Sequence, residues 1–231
     1  DPPPSGGLGP TTVDMSALSI ENVRTGSSVE DIKRAILNHL CYSLGIFPEV
    51  AAPESFYRAV ALTVHDHVQQ SFVSTIRTEG LQRSYKVVIY LSAEYLIGPQ
   101  LLNNLVNLGI QDQVRQAVAE LGQDLDQLLE HESEPGLGSG GLGRLAACYL
   151  DSLATLKVPS VAYGIRYEFG IFEQEIKDGW QVEKTDMWLG RGSPWDVQTA
   201  EAQRPEVGFE GSTASFCDYA FEGRVCKRWE P

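Results

Sequence analysis

The sequence has few basic residues and no long apolar run. Of its 231 residues, 18 are Lys or Arg and 31 are Asp or Glu, which gives a formal net charge of −13 at pH 7. Without a basic stripe a protein has no means of releasing counterions from nucleic-acid phosphates, so we expect no nucleic-acid partner. No apolar stretch reaches the length of a membrane span, so we expect no membrane partner either.

Cysteine is also scarce. The sequence has four cysteines, and no pair of them has the C-x-x-C spacing of a metal or redox site. Cys41 and Cys148 lie in apolar helical runs, where buried free thiols are common. This usage predicts a reducing, cytoplasmic compartment and no metal site. A disulfide between Cys217 and Cys226 across a hairpin is a less favoured alternative.

The first residues have little that could form a core. Residues 1–26 are rich in Pro, Gly and Thr and are predicted to form a flexible tail before a folded domain at 27–231. The tail shows neither the basic nor the apolar region of a signal peptide, and it lacks an initiator Met. We therefore expect an amino terminus that was cut, processed or incompletely recorded.

Apolar periodicity predicts two helices after the tail. Ser27 and Glu30 have the spacing of a capping box, and apolar residues then recur every fourth position until Gly45, a typical stop. A longer helix is predicted from Pro53 to Gly80. The histidines of "HDH" within it, His65 and His67, point to different faces and are predicted to lie on the helix surface rather than to bind a metal.

The remaining segments predict an α/β fold. "KVVIYLS", at 86–92, is β-branched without alternation, as in a parallel strand buried on both faces. Helices are predicted at 99–106 and 109–121, with the acidic residues of this region on a solvated face, and another at 142–156, followed by the strand "VPSVAYGI". After Gly170 the pattern changes to strands and turns, ending in a hairpin around Glu222-Gly223. Three of the four tryptophans of this region are predicted to pack in the protein interior rather than to stack on sugars: Trp180, Trp188 and Trp195.

The densest glycine segment is "EPGLGSGGLGRLAACYLDSLATL", at 134–156. Gly138, Gly140 and Gly143 match the dinucleotide fingerprint G-x-G-x-x-G, and Glu168 is an acceptable ribose-binding acid. The fingerprint also requires a strand directly before the glycines, whereas "DLDQLLEHESEP" is acidic and predicted to be helical. The segment is therefore not expected to bind a dinucleotide.

The same glycines allow two other interpretations. Gly140, Gly141 and Gly143 leave backbone N–H groups uncovered at the positive end of the following helix, which is a general anion site. Alternatively, the glycines only allow close packing where the helix begins. The residues by themselves leave both interpretations open.

Several motifs together resemble one family. "YLSAEYLIG" (90–98), the glycine segment, "YGIRYEFGIFEQEIKDGWQVEKTDMWL" and "GSPW" follow in the order and spacing found in the glycogen/starch (α-glucan) phosphorylases. The sequences of these motifs are most similar to those of bacterial members, including cyanobacterial ones. The similarity extends from about residue 27 to the end and covers roughly the first quarter of such an enzyme.

The resemblance implies a fold and a reaction. The chain would be an incomplete amino-terminal Rossmann-like domain of a GT-B glycosyltransferase, with a β-rich excursion after residue 170. The complete protein would cleave terminal α-1,4-glucosidic bonds of an α-1,4-glucan with inorganic phosphate and release α-D-glucose 1-phosphate. Its cofactor would be pyridoxal 5′-phosphate on a lysine outside this chain, and it would form a homodimer. The alternative is a truncated, non-catalytic module that binds glucan or a partner.

The resemblance also assigns site residues. Gly140 and Gly141 match paired glycines whose N–H groups face phosphate, with Gly143 in the same loop, and Leu142 matches a position whose backbone contacts glucose. Glu94 matches an active-site glutamate; without the family it would be interpreted as a salt-bridged carboxylate at a helix start.

The sequence departs from the family at a few positions near these residues. Ser139 replaces a common Asn, Tyr95 a frequent Phe, and Pro99 an Arg. Because Ser is also a short polar helix cap, we expect little change at residue 139. No lysine of the chain matches the family's cofactor or phosphate-binding positions, so the chain alone is predicted to be inactive.

Overall fold

The structure is a computed structural model, and it describes two main parts of the chain and several short segments. The described residues are 24–75, 86–171, 173–190 and 192–197, with the backbone of 206–209, 212–215, 217–219 and 229–230. Nearly all of the predicted tail lies outside them, as do Gly80, Cys226 and the turn at Glu222-Gly223.

Five helices form the larger core. They are α1 (Val29–Asn38), α2 (Pro53–Thr75), α3 (Leu101–Leu108), α4 (Gln111–Glu120) and α5 (Leu125–Leu129). A π-helical turn, His39–Ser43, extends α1, and a 3₁₀ turn, Pro48–Val50, precedes α2. The apolar stripes of all five helices meet in one cluster of buried side chains, in which Ile36, Val60 and Leu105 are at most 1% exposed. Within the described residues the predicted helices are confirmed, and α5 lies in the segment "DLDQLLEHESEP", which was also predicted to be helical.

The beginning of α1 differs from the prediction by one residue. Ser28, not Ser27, is the N-cap, and its hydroxyl accepts a hydrogen bond from the Asp31 amide at 3.1 Å. Ser28 and Asp31 therefore have the Ser-x-x-acid spacing that was expected of Ser27 and Glu30. Gly45, with φ of +68°, follows the π-helical turn, as a stop glycine should.

The helix α2 buries one of the two histidines. His67 is 7% exposed, and its Nδ1 lies 2.9 Å from the Thr63 carbonyl oxygen. His65 is half-buried, with its ring edge-to-face against Trp195. The prediction of a helix-surface position was wrong for His67, because α2 is covered by neighbouring helices on more than one side.

A small sheet stands beside the helical core. Strand β1 (Val88–Leu91) pairs in parallel with β2 (Ser160–Gly164), and β7 (Cys217–Tyr219) adds antiparallel to the other edge of β2. The helix α6 (Gly140–Thr155) precedes β2 and packs against it. Helices connected to a parallel strand pair confirm the α/β class.

The predicted burial of β1 on both faces was wrong for the described structure. Val88 is 39%, Ile89 59% and Leu91 73% exposed. A parallel strand is buried on both faces only where helices cover both sides of the sheet. Here β1 is an edge strand of the described sheet, and the described helices leave it open.

The β-rich segment after residue 170 is confirmed. Strands β3 (Glu173–Lys177) and β4 (Trp180–Lys184) form an exposed hairpin, and β5 (Glu206–Phe209), β6 (Ser212–Ser215) and β8 (Trp229–Glu230) form an antiparallel sheet. Trp188 is 9% exposed, as predicted for a packing residue, and Trp195 packs against the helical core. The prediction was wrong for Trp180, which is 78% exposed because every residue of its strand β4 is exposed to solvent.

Two general features complete the fold. Within the described parts of the chain, no helix is both long and apolar enough to cross a bilayer, and no group of three or more potential ligands could hold a metal ion. Cys41 is a half-buried free thiol. Cys148 is free and exposed, contrary to the expected burial, because it lies on the uncovered side of α6.

Candidate functional site

The candidate site lies at the carboxyl ends of β1 and β2. The chain leaves β1 after Leu91 and reaches Glu94 three residues later. Because α6 connects back to the parallel strand β2, its amino-terminal end lies at this same edge, where open α/β sheets bind ligands. The Leu96 amide donates to the Gly143 carbonyl oxygen at 3.0 Å, so the segment after β1 and the first turn of α6 are in direct contact.

Glu94 is held against the glycine segment. One carboxylate oxygen, Oε2, accepts a hydrogen bond from the Ser139 amide at 3.1 Å, and the Glu94 amide donates to the Ser92 hydroxyl at 3.3 Å. Glu94 lies outside the helices, and none of the ion pairs between described residues includes it. The interpretation as a salt-bridged carboxylate at a helix start was therefore wrong. The structure brings Glu94 and the glycine loop, 45 residues apart, into one site.

The glycines of the loop fall into two pairs, one in close contact with neighbouring atoms and one facing open space. A Cβ atom added to Gly138 would lie 2.7 Å from the Tyr95 nitrogen, and one added to Gly143 would lie 3.2 Å from the Leu96 nitrogen. Gly138 therefore leaves no room for a Cβ atom, and Gly143 packs tightly against the segment after β1. Gly140 has φ of +60°, and an added Cβ at Gly140 or Gly141 would meet no atom within 4 Å. Close packing alone does not explain the second pair.

The first turn of α6 offers free donors. Ser139 is the N-cap, and its hydroxyl makes no capping hydrogen bond. The first amides of a helix have no partner within the helix, and those of Gly140, Gly141 and Leu142 belong to exposed residues. The helix dipole adds a partial positive charge at the same place. Since Glu94 already accepts from Ser139, the next amides are available to an anionic ligand.

The strand that a dinucleotide fingerprint requires before the glycines is not present in the described residues 111–139, as predicted. The residues before the glycines form the short helix α5 and an irregular segment rather than a strand. The residues that match the fingerprint have structural reasons: Gly138 and Gly143 for packing and Gly140 for its positive φ.

The segment "GIRYEFG" supports the site from the other side. The Tyr167 hydroxyl donates to the Ala93 carbonyl oxygen at 3.0 Å, and the Trp188 indole donates to the Tyr167 carbonyl oxygen at 3.2 Å. Burial, and then the charge of Glu94, raise the pKa of the Tyr167 hydroxyl above its usual value. Arg166 pairs with the largely buried Asp196 at 3.1 Å. The motif predicted the family, but not that Tyr167 lies beside Glu94.

Glu132 is a further structural residue that the sequence did not reveal. Its carboxylate accepts hydrogen bonds from the amides of Gln100 and Leu101 at the start of α3, and from the Trp195 indole at 3.0 Å. Burial raises the pKa of Glu132, and these hydrogen bonds oppose the rise. The segment "LLEHESEP" contains several acidic residues, and nothing in its sequence distinguishes the one that makes these contacts from the others.

The arrangement has a defined chemical capacity. The amides of Gly140, Gly141 and Leu142 can donate to phosphate oxygens, and the second oxygen of Glu94 can accept from water, a sugar hydroxyl or a protonated phosphate. The fold and the site define an α/β protein in which an exposed helix start, with amides that can donate to a small anionic ligand, lies at the carboxyl ends of the parallel strands.

Comparison with known proteins identifies the family. The model of the carbohydrate phosphorylase family matches residues 118–231. The chain is 55% identical over 216 residues to a glycogen phosphorylase of Synechocystis, which covers 92% of this chain and 24% of that protein. It is 48% identical over 191 residues to a glycogen phosphorylase of Chlamydia pneumoniae, covering 83% of this chain and 23% of that protein. The chain belongs to the carbohydrate phosphorylase family.

The similarity extends beyond bacteria. The chain is 43% identical over 194 residues to the brain form of human glycogen phosphorylase, covering 84% of this chain and 23% of that protein. The expected likeness to bacterial and cyanobacterial members is confirmed. The chain spans about a quarter of the length of the curated relatives that it matches.

Proposed function

We propose that this chain is part of an α-glucan phosphorylase. In the complete protein, inorganic phosphate cleaves terminal α-1,4-glucosidic bonds of glycogen, starch or maltodextrin, and α-D-glucose 1-phosphate is released with retention of the anomeric configuration. The observation that carries the proposal is the pair of open glycines, Gly140 and Gly141, at a helix start held 3.1 Å from Glu94 through the Ser139 amide. The family and the names of the relatives support the reaction.

The residues have separate roles in this proposal. The amides of Gly140 and Gly141 bind phosphate oxygens, and the absence of Cβ atoms lets the phosphate approach the backbone closely. The backbone of Leu142 lies next along the helix and faces the glucosyl unit. Glu94 accepts hydrogen bonds and so orients phosphate, sugar or water. Fixed donors at a site of developing charge commonly supply the largest share of catalysis.

Pyridoxal phosphate is the proposed cofactor. When bound, it would supply acid–base chemistry through its phosphate group. The open amides at Gly140 and Gly141 fit a site of two neighbouring phosphate groups, because they add donors without adding bulk. The candidate site, which consists of Glu94 and residues 137–143, contains no lysine to which the cofactor could be attached. The proposal places the attachment lysine and the cationic side of the cleft outside this chain.

The wider architecture follows from the same proposal. The described α/β unit is part of the first Rossmann-like domain of a GT-B protein, and the complete protein is a homodimer. The cysteine usage favours a cytoplasmic location, since the described free thiols, Cys41 and Cys148, require no oxidising compartment.

The test uses the complete protein that contains this chain. It is purified with and without pyridoxal phosphate and incubated with maltodextrin and inorganic phosphate, and glucose 1-phosphate and free glucose are measured separately. We expect cofactor-dependent formation of glucose 1-phosphate. Equal activity without the cofactor, or free glucose as the main product, would contradict the proposal. Glucan binding without turnover would instead support the non-catalytic alternative.

A further inference from the structure

The residue after Glu94 fills the space between the two parallel strands and the glycine loop. Tyr95 is 2% exposed and packs with Ala146, Leu150 and Ala162, which belong to α6 and β2. A Cβ atom added to Gly164, at the end of β2, would lie 2.6 Å from the Tyr95 ring. The glycine at 164 therefore makes room for this ring.

The Tyr95 hydroxyl lies between the ends of both strands. Its oxygen is 2.7 Å from the Tyr163 carbonyl oxygen of β2 and 3.0 Å from the Tyr90 carbonyl oxygen of β1. Burial raises the pKa of Tyr95 to about 12, so the hydroxyl remains a donor throughout the physiological pH range. Because the hydroxyl is in contact with both carbonyl groups, the ring is fixed to the edge of the sheet.

The backbone at 94–96 connects the Tyr95 ring to the glycine loop through hydrogen bonds. The Tyr95 amide donates to the Leu137 carbonyl oxygen at 2.9 Å, and the Leu96 amide to Gly143 at 3.0 Å. Between these bonds, Ser139 donates to the Glu94 carboxylate. A shift of the Tyr95 ring would move Glu94 and the glycine loop relative to each other.

We propose that Tyr95 is a positioning residue for the phosphate site, and that its hydroxyl holds Glu94 and the amides of the glycine loop in register. Two measurements test this inference, and only the second, a phosphate titration, rests on the proposed phosphate-binding function.

The experiment compares Tyr95→Phe with a matched control in the same chain. Tyr57→Phe removes another buried hydroxyl, 5% exposed and within the helical core, away from the site. The first readout is hydrogen exchange of the Ser139 amide, which reports its bond to Glu94. We expect exchange to become about fivefold faster in Tyr95→Phe, the factor for loss of one hydrogen bond of about 1 kcal/mol, and to be unchanged in Tyr57→Phe.

The second readout is a titration with inorganic phosphate, followed through the amide signals of Gly140 and Gly141. We expect affinity to fall about fivefold in Tyr95→Phe only. If the wild-type chain does not bind phosphate but its Ser139 amide responds to Tyr95→Phe, the positioning role stands and the phosphate site fails. Unchanged Ser139 exchange in Tyr95→Phe overturns the positioning role, whatever its effect on melting temperature.

Gly164→Ala serves as the second variant if Tyr95→Phe does not fold. The added Cβ displaces the Tyr95 ring without removing its hydroxyl. We expect the same faster exchange at Ser139, and unchanged exchange in a folded Gly164→Ala protein would overturn the inference.

Discussion

Substitution of Gly141 separates ligand binding from folding more cleanly than any other change in the glycine loop. An added Cβ at this position meets no atom within 4 Å, and Gly141 does not have a positive φ, unlike Gly140. Gly141 is the second residue of α6, where Ala has the higher helix propensity by about 0.5–1 kcal/mol. Gly141→Ala should therefore stabilise the folded chain by up to that amount.

The two effects of Gly141→Ala have opposite directions. For a domain of this size, about 1 kcal/mol corresponds to a rise in Tm of about 2–4 °C. The methyl group points into the open space that a phosphate would occupy, and loss of one positioned donor costs about a hundredfold or more in turnover. We therefore expect a slightly raised Tm together with loss of phosphorolysis in the complete protein.

Thermal unfolding of the chain and a glucose 1-phosphate assay of the complete protein measure the two effects. Gly138→Ala is the matched control, because its Cβ would lie 2.7 Å from the Tyr95 nitrogen. Overpacking of this kind costs about 1–3 kcal/mol, so this variant should lose stability and activity together. Near-normal phosphorolysis by a stable Gly141→Ala protein would refute the assignment of this glycine to phosphate.

Three further predictions follow from the described contacts. Residues 1–231 alone, with pyridoxal phosphate, maltodextrin and phosphate, should form no glucose 1-phosphate above a blank, because the proposed cationic side of the cleft lies outside this chain; cofactor-dependent turnover would contradict this. Ser28→Ala should lower stability by about 1 kcal/mol in urea unfolding, since Ser28 caps the Asp31 amide, whereas Ser139→Ala should change it by less than about 0.5 kcal/mol; equal losses would disprove the difference between the caps. Burial raises the folded pKa of Glu132 above 4.5, so its contribution to stability is present below that pH and is lost as pH rises through the folded pKa. Wild type should therefore lose stability relative to Glu132→Gln between pH 4.5 and pH 7, and a change of the opposite sign would exclude burial as the dominant cause.

The sequence by itself determined the helices, the main strands and the family. Helix periodicity and stop residues are local signals, so α1 was predicted up to Gly45 and α2 from Pro53 with only the cap residue misplaced. The glycine segment and "YLSAEYLIG" were sufficient to indicate a phosphorylase, because the order and spacing of motifs can be read from the sequence without a structure. The missing strand before the glycines likewise excluded the dinucleotide interpretation.

Only the tertiary structure decided which residues share the site and which of them pack. Glu94 and Ser139 are 45 residues apart, and no local pattern states that a carboxylate after β1 accepts a hydrogen bond from an amide before α6. The division of the glycines into close-packed and open positions depends on atoms of residues 94–96. Burial of His67 and exposure of β1 depend on what covers each element, which is a property of the assembled layers rather than of the segment.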